Sequence, residues 1–380
     1  MMRIFAVFFA FMFVGARLGE AQFAVPPCAE RTTSLSEPWI REGFACLERV
    51  IEDTSAGELG YTALASAPDG TLYAARPFAG QIIALTDGDG DGLPETPMVA
   101  ADELTLPNAL VFYDGALYAA GGRYLYRLRD GRLETLVDDL PTGEFWTGGV
   151  AVFDDRLYVG IGAACESCAA EAESQHGTIL SFALDGSDRR VEARGLRSPY
   201  ALAVHEGALY ITDSAADALF ADLNLPTLDE VNRFTPGADY GFPACLGAGL
   251  ALDERDAALC RETATPAAAL PTGATPTGMA SYAGDALPAL KGKLLIVLNG
   301  SRQALELRGY RLVAVDPRDG TMLDIMPAKP DDKPLSDYTP DQMNYRGSGF
   351  YPHRPIGVTV TDQGWIYLSV GGGRILALRP

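Results

Sequence analysis

Three groups of residues in this 380-residue chain have the type and spacing to do chemistry. The first is Asp87-Gly-Asp-Gly-Asp-Gly, which sets the carboxylates of Asp87, Asp89 and Asp91 at alternate positions with glycine sixth, the pattern of a calcium loop. Glu95 is ninth, but Met98 stands twelfth, where such a loop carries a bidentate glutamate, so a flexible acidic turn is the competing reading. The second is six cysteines, at positions 28, 46, 165, 168, 245 and 260. Proximity suggests the pairs 28–46, 165–168 and 245–260, one of the fifteen connectivities that six cysteines allow. Cys165-Glu-Ser-Cys168 also has redox or metal spacing, but no second such pair exists for zinc and no histidine follows for haem attachment. The third is the histidines, of which there are only His176, His205 and His353 to exchange protons near neutral pH.

Composition narrows the class. With 30 Lys+Arg against 50 Asp+Glu the net charge is −20, which argues against nucleic acid or an anionic membrane surface as partner. At 48% hydrophobic and 21% charged the chain is neither disordered nor fibrous. Residues 1–21 read as a secretory signal peptide: Arg3, an apolar run over 4–14, then Gly19 and Ala21 at the −3 and −1 positions of a cut. A membrane anchor needs about 20 apolar residues, and Arg17, Glu20 and Gln22 interrupt too soon. An exported protein, periplasmic or extracellular, with no membrane span in its mature chain suits paired cysteines. Residues 22–42 form an N-terminal extension and 43–380 a single domain.

The elements that must position these groups recur. A small residue, alternating apolar positions, a Gly/Asp turn and an aromatic-rich strand appear six times, ending at Tyr73, Tyr118, Tyr158, Tyr210, Leu295 and Tyr367. Period-2 alternation specifies strands, and further short strands follow each hairpin at 81–85, 124–128, 178–182 and 310–315. Repeats of this size built from four strands describe propeller blades. The expectation is all-β: a six-bladed propeller of four-stranded antiparallel blades, in preference to paired β-sandwiches. A strand over 43–51 should pair with 374–379 and close the last blade. Long insertions fall at 236–275 and 320–353.

Gly195-Leu-Arg-Ser-Pro-Tyr-Ala-Leu-Ala, Leu209-Tyr-Ile-Thr-Asp, Leu228-Asp-Glu-Val-Asn-Arg and Asp239-Tyr-Gly-Phe-Pro follow one another in order. This run, with the Gly160–Cys168 and Arg354–Val360 stretches, resembles the glucose/sorbosone dehydrogenase family, soluble six-bladed propellers that use pyrroloquinoline quinone (PQQ) and calcium. The resemblance implies that Arg197, Ser198 and Arg354 face the cofactor. It puts backbone oxygens of Asn224 and Leu225 on a cofactor-bound calcium, although the Gly-Pro expected there is absent. It matches Asp229, Glu230 and the Tyr240 carbonyl to a second, structural calcium.

The chain departs from the family at the catalytic base. Trp146 and Thr147 hold the register of the phrase His-Trp-Thr-Arg, so the histidine position is Phe145 and the arginine position is Gly148. Phenylalanine cannot accept a proton. His176 and Glu144 are the substitute bases this reading offers. Three functions follow: a quinoprotein oxidising a sugar or related alcohol or aldehyde and passing electrons to an unknown acceptor; a propeller that binds a carbohydrate or PQQ without turnover; or a secreted interaction scaffold.

Overall fold

The computed structural model describes residues 26–36, 38, 40–41, 45–166, 174–214, 229–247, 249–300, 309–327 and 353–380. Six four-stranded antiparallel sheets form six blades. Blade 1 comprises Leu64–Ser66, Leu72–Arg76, Gln81–Thr86 and Thr96–Ala101; blade 2 comprises Ala109–Tyr113, Ala116–Gly121, Tyr124–Arg129 and Arg132–Val137. Blade 3 holds Val150–Phe153, Arg156–Ile161, Thr178–Ala183 and Arg190–Ala193. Blade 4 holds Pro199–His205, Ala208–Asp213, Asp229–Arg233 and Ala268–Leu270. Blade 5 is Pro276–Tyr282, Lys293–Leu298, Arg311–Val315 and Met322–Met326. Blade 6 is Pro355–Val360, Ile366–Val370 and Arg374–Arg379, with Cys46–Glu52 outermost, Cys46 opposite Arg379. The first and last described strands therefore share one blade, as the sequence predicts. The only α-helix among the described residues is Ala257–Cys260.

The recurring turn has a conformational cause. Asp114-Gly115, Asp154-Asp155 and Glu206-Gly207 all take positive φ at both positions, the backbone of a two-residue hairpin whose twist matches that of its strands. The alternation in each strand then serves two neighbours at once. In blade 5, Leu295 and Val297 pack toward blade 6 while Leu294, Ile296 and Leu298 pack toward blade 4. Six such apolar clusters fill the six gaps between blades. The innermost strands touch one another in a closed ring. They surround a central channel lined by residues including Ala63, Asn108, Gly149, Tyr200, Gly278 and Gly357.

Every innermost strand starts on the same face, the upper one. The connections between blades and the loops between second and third strands open there. The Asp87–Asp91 loop joins third and fourth strands of blade 1 and so lies on the lower face, opposite the arginines. Blade 4 carries the longest described insertion, residues 234–267. It contains a hairpin of Cys245–Leu246 and Leu250–Ala251, and the disulfide Cys245–Cys260.

Candidate functional site

Arg197 and Arg354 each stand two or fewer residues before an innermost strand, in blades 4 and 6, and so share the upper face. Arg197 is buried. Its backbone N–H donates to Asp213 Oδ2 at 3.0 Å, and the neighbouring Ser198 N–H donates to Oδ1 at 2.6 Å. Its guanidinium lies over the Phe145 ring, 4.4 Å from the centroid. Nη1 donates to the Ser214 carbonyl at 3.0 Å and Nη2 to Glu166 Oε2 at 2.5 Å. Arg354 donates to the carbonyl of Gly300 and stacks over Tyr310 at 4.8 Å.

Below Arg197 the ends of two adjacent blade-4 strands bring carboxylates together. Asp213 and Glu230 are direct cross-strand partners, and Asp229 precedes Glu230. All three are buried. Burial pushes Asp213 up to about 6, against the opposing pull of the Arg197 and Ser198 amides. Burial pushes Glu230 up to about 7, and the charges of Asp213 and Asp229 add to it, while Asn232 and the Gly247 amide oppose. Asp229 Oδ2 accepts from the Thr275 N–H at 2.6 Å. Crowded buried carboxylates whose pKa values rise are what a divalent cation would relieve. Tyr240 is held beside blade 3, its N–H on the Arg194 carbonyl and its hydroxyl donating to the Arg233 carbonyl at 2.8 Å.

The two candidate bases are both tied into the upper-face loops. His176 Nε2 donates to the Thr142 carbonyl at 3.2 Å, and its Nδ1 shares a hydrogen bond of 2.9 Å with Ser174 Oγ. Glu144 is exposed, and its Oε2 accepts the Glu166 N–H at 3.0 Å. Glu144 and Phe145, adjacent in sequence, thus grip the Arg197–Glu166 pair from two sides. Gly148 can carry no side chain in this backbone, since a Cβ would collide with the Pro199 carbonyl. His205 is buried at the far end of its strand on Ser281 Oγ, and His353 Nε2 accepts from Arg374 at 3.4 Å.

Asp87, Asp89, Asp91 and Glu95 converge, with one ligand atom from each all within 4.8 Å of one another. Asn224, Leu225 and Cys168 lie outside the described residues. Cys28–Cys46 and Cys245–Cys260 are bonded as expected, and Cys165 is also disulfide-bonded. Sequence reasoning missed Asp213 and Glu166. A signal for the first was an acid closing an otherwise apolar strand, Ala208–Asp213; for the second, an acid between two cysteines.

The family model described as Glucose / Sorbosone dehydrogenase matches residues 128–312, which include Phe145, Arg197, Asp213 and Glu230. The resemblance drawn from the 195–243 run is thereby borne out. No curated protein matches the chain. Among solved structures, the holo form of the PQQ domain of pyranose dehydrogenase from Coprinopsis cinerea is 16% identical over 90% of this chain and 96% of that one, with a TM-score of 0.71. A calcium structure of a Trichoderma reesei carbohydrate-active enzyme of family AA12 is 17% identical over 92% and 99%, TM-score 0.70. The PQQ-bound aldose sugar dehydrogenase of Streptomyces coelicolor is 18% identical over 88% and 97%, TM-score 0.60. At these identities the likeness is one of fold.

Proposed function

We propose that the protein is an exported, PQQ- and calcium-dependent oxidoreductase acting on a sugar or a related alcohol or aldehyde. One observation carries the reading: a buried arginine on the upper face, Arg197, already holds a carboxylate oxygen at 2.5 Å. The subsite therefore fits a carboxylate-bearing cofactor, and Arg354 and Ser198 are its companions on the same face. When bound, PQQ supplies a two-electron acceptor for the carbon bearing the substrate hydroxyl. Asp229, Glu230 and the Tyr240 carbonyl are proposed to hold a structural calcium, with Asp213 as a further acid beside it. Asn224 and Leu225 remain proposed for the cofactor's calcium, and Asp87, Asp89 and Asp91 for a separate ion on the lower face. The exposed Trp146 and Phe78 rings meet edge to face at 6.2 Å on the upper face and offer a sugar an apolar platform.

The hydroxyl proton must pass to a group within hydrogen-bond reach or one water away. His176 and Glu144 are the proposed acceptors, and each must first exchange the hydrogen bond it makes to the loops. Phe145 under Arg197 favours a second reading, a propeller that binds the cofactor or a carbohydrate without turnover. Purified protein mixed with PQQ and calcium separates these. Quinone absorbance retained through gel filtration together with aldose-dependent dye reduction supports the oxidoreductase. Retained absorbance without dye reduction supports the binder, and no retained absorbance removes both cofactor readings.

A further inference from the structure

We propose that Glu166 is a resident anion of the Arg197 subsite: its carboxylate occupies the place of a ligand carboxylate and must leave when one binds. Among the described residues, three neighbours hold the Arg197 guanidinium. The first two are the Ser214 carbonyl at 3.0 Å, just past a blade-4 strand, and the Phe145 ring at 4.4 Å, in the connection between blades 2 and 3. The third is Glu166, whose side chain is 33% exposed while that of Arg197 is 9% exposed. Glu166 is therefore the more exposed member of the pair, the one that an anion arriving from solvent can replace. The disulfide at Cys165 and the Glu144 carboxylate on the Glu166 N–H keep the competitor close even when it is displaced. A tethered competitor of this kind lowers the fraction of molecules ready to bind, and apparent affinity falls by that fraction.

The proposal rests on the cofactor reading only in naming PQQ as one ligand; the ligand class is the carboxylate. An ion pair with one partner a third exposed is weak enough to be displaced, and its loss should tighten carboxylate binding about ten-fold. The test compares wild type, Glu166→Gln and Glu166→Ala, with Glu58→Gln as control. Glu58 is an exposed acid on the same face, so its loss changes the field by the same charge without vacating Arg197. Two probes are titrated: PQQ with calcium, followed by quenching of protein fluorescence, and benzene-1,3,5-tricarboxylate, which lacks a quinone, followed by calorimetry. Both Glu166 variants should bind each probe about ten-fold tighter, with the Glu58 variant close to wild type. Equal tightening in the Glu58 variant, or unchanged or weaker binding in both Glu166 variants, overturns the proposal. If PQQ binds wild type and the Glu166 variants gain nothing, the proposal falls and the cofactor reading stands. If only the tricarboxylate binds and follows the expected order, the proposal stands and the cofactor reading falls. Binding of neither probe to any of the proteins ends both.

Discussion

At the scale of single residues, Phe145 decides how the site behaves. Its ring covers one face of a desolvated guanidinium, a contact worth up to about 2 kcal/mol. An imidazole there would stack in its neutral form and repel Arg197 when protonated, so its pKa would fall and it would be a free base at neutral pH. Phe145→His is therefore expected to raise aldose-dependent dye reduction, more at about pH 8 than at about pH 5.5. Phe145→Ala should lose stability and gain no activity. The pH–rate profiles of the two variants check this, and a histidine variant no faster than wild type at any pH would show that a missing proton acceptor is not what limits the site. The substitution at this position was legible from the chain, because Trp146 and Thr147 set the register. The cation–π stack was not, because nothing in a linear sequence says that the residue before Trp146 meets Arg197 from the next blade connection.

Elements carry the next level. The hairpin turns were readable because their Gly/Asp positions demand positive φ, and a strand's alternation then dictates which neighbour each side chain faces. The acid cluster was readable only in part. Asp229 and Glu230 came from resemblance, but Asp213 joins them through strand register, and the Gly247 amide reaches Glu230 only because the 234–267 insertion climbs back to the upper face. A pH effect follows. Asp213 and Glu230 have folded-state values of about 6 and about 7, above those of an unfolded chain. Between the ordinary carboxylate range and neutrality the folded state therefore binds more protons, and stability falls as pH rises through that window. With calcium chelated, the melting temperature should drop from about pH 5 to about pH 8. Millimolar calcium should recover most of the loss by neutralising the cluster. Glu230→Gln in chelator should flatten the curve. A melting temperature that is level or rises over this window in chelator would show that the three acids do not oppose one another.

The whole ring depends on how it is closed, and here one carboxylate ties several parts together. Glu48 lies in the N-terminal strand of blade 6 and is fully buried. It accepts from Arg379 Nε at 2.7 Å and Nη2 at 2.8 Å, from Arg31 Nη1 at 3.0 Å and from Thr33 Oγ1 at 2.8 Å. Arg379 in turn donates to the Asp91 carbonyl of the acidic loop at 3.1 Å and lies over Trp365. The segment 28–33, blade 6 and the edge of blade 1 thus meet at a single side chain, and the Cys28–Cys46 disulfide fastens that segment to the same strand. The strand pairing was legible from the apolar pattern at both ends of the chain; the ion pair was not, since a lone glutamate in a strand reads as solvent-facing. Burial alone would raise the Glu48 pKa, but the hydrogen bonds from Arg379 and Thr33 and the charges of Arg379 and Arg31 outweigh it and hold the pKa below the usual range. Its stabilising contribution is therefore complete above the ordinary carboxylate range and is lost as pH falls through the lowered value. This window is distinct from that of the blade-4 acids, and its sign is opposite. Glu48→Gln leaves two guanidiniums facing a neutral amide and should cost about 3–5 kcal/mol. The double variant with Arg379→Met should recover part of that loss, because the uncompensated buried charge, rather than the missing bond, is the larger cost. Denaturant unfolding of the single and double variants measures both. Limited proteolysis of the single variant should release the segment 28–33 and the closing strand before any other blade is cut. A single variant within about 0.5 kcal/mol of wild type would mean that the ring is held shut by strand pairing and apolar packing alone.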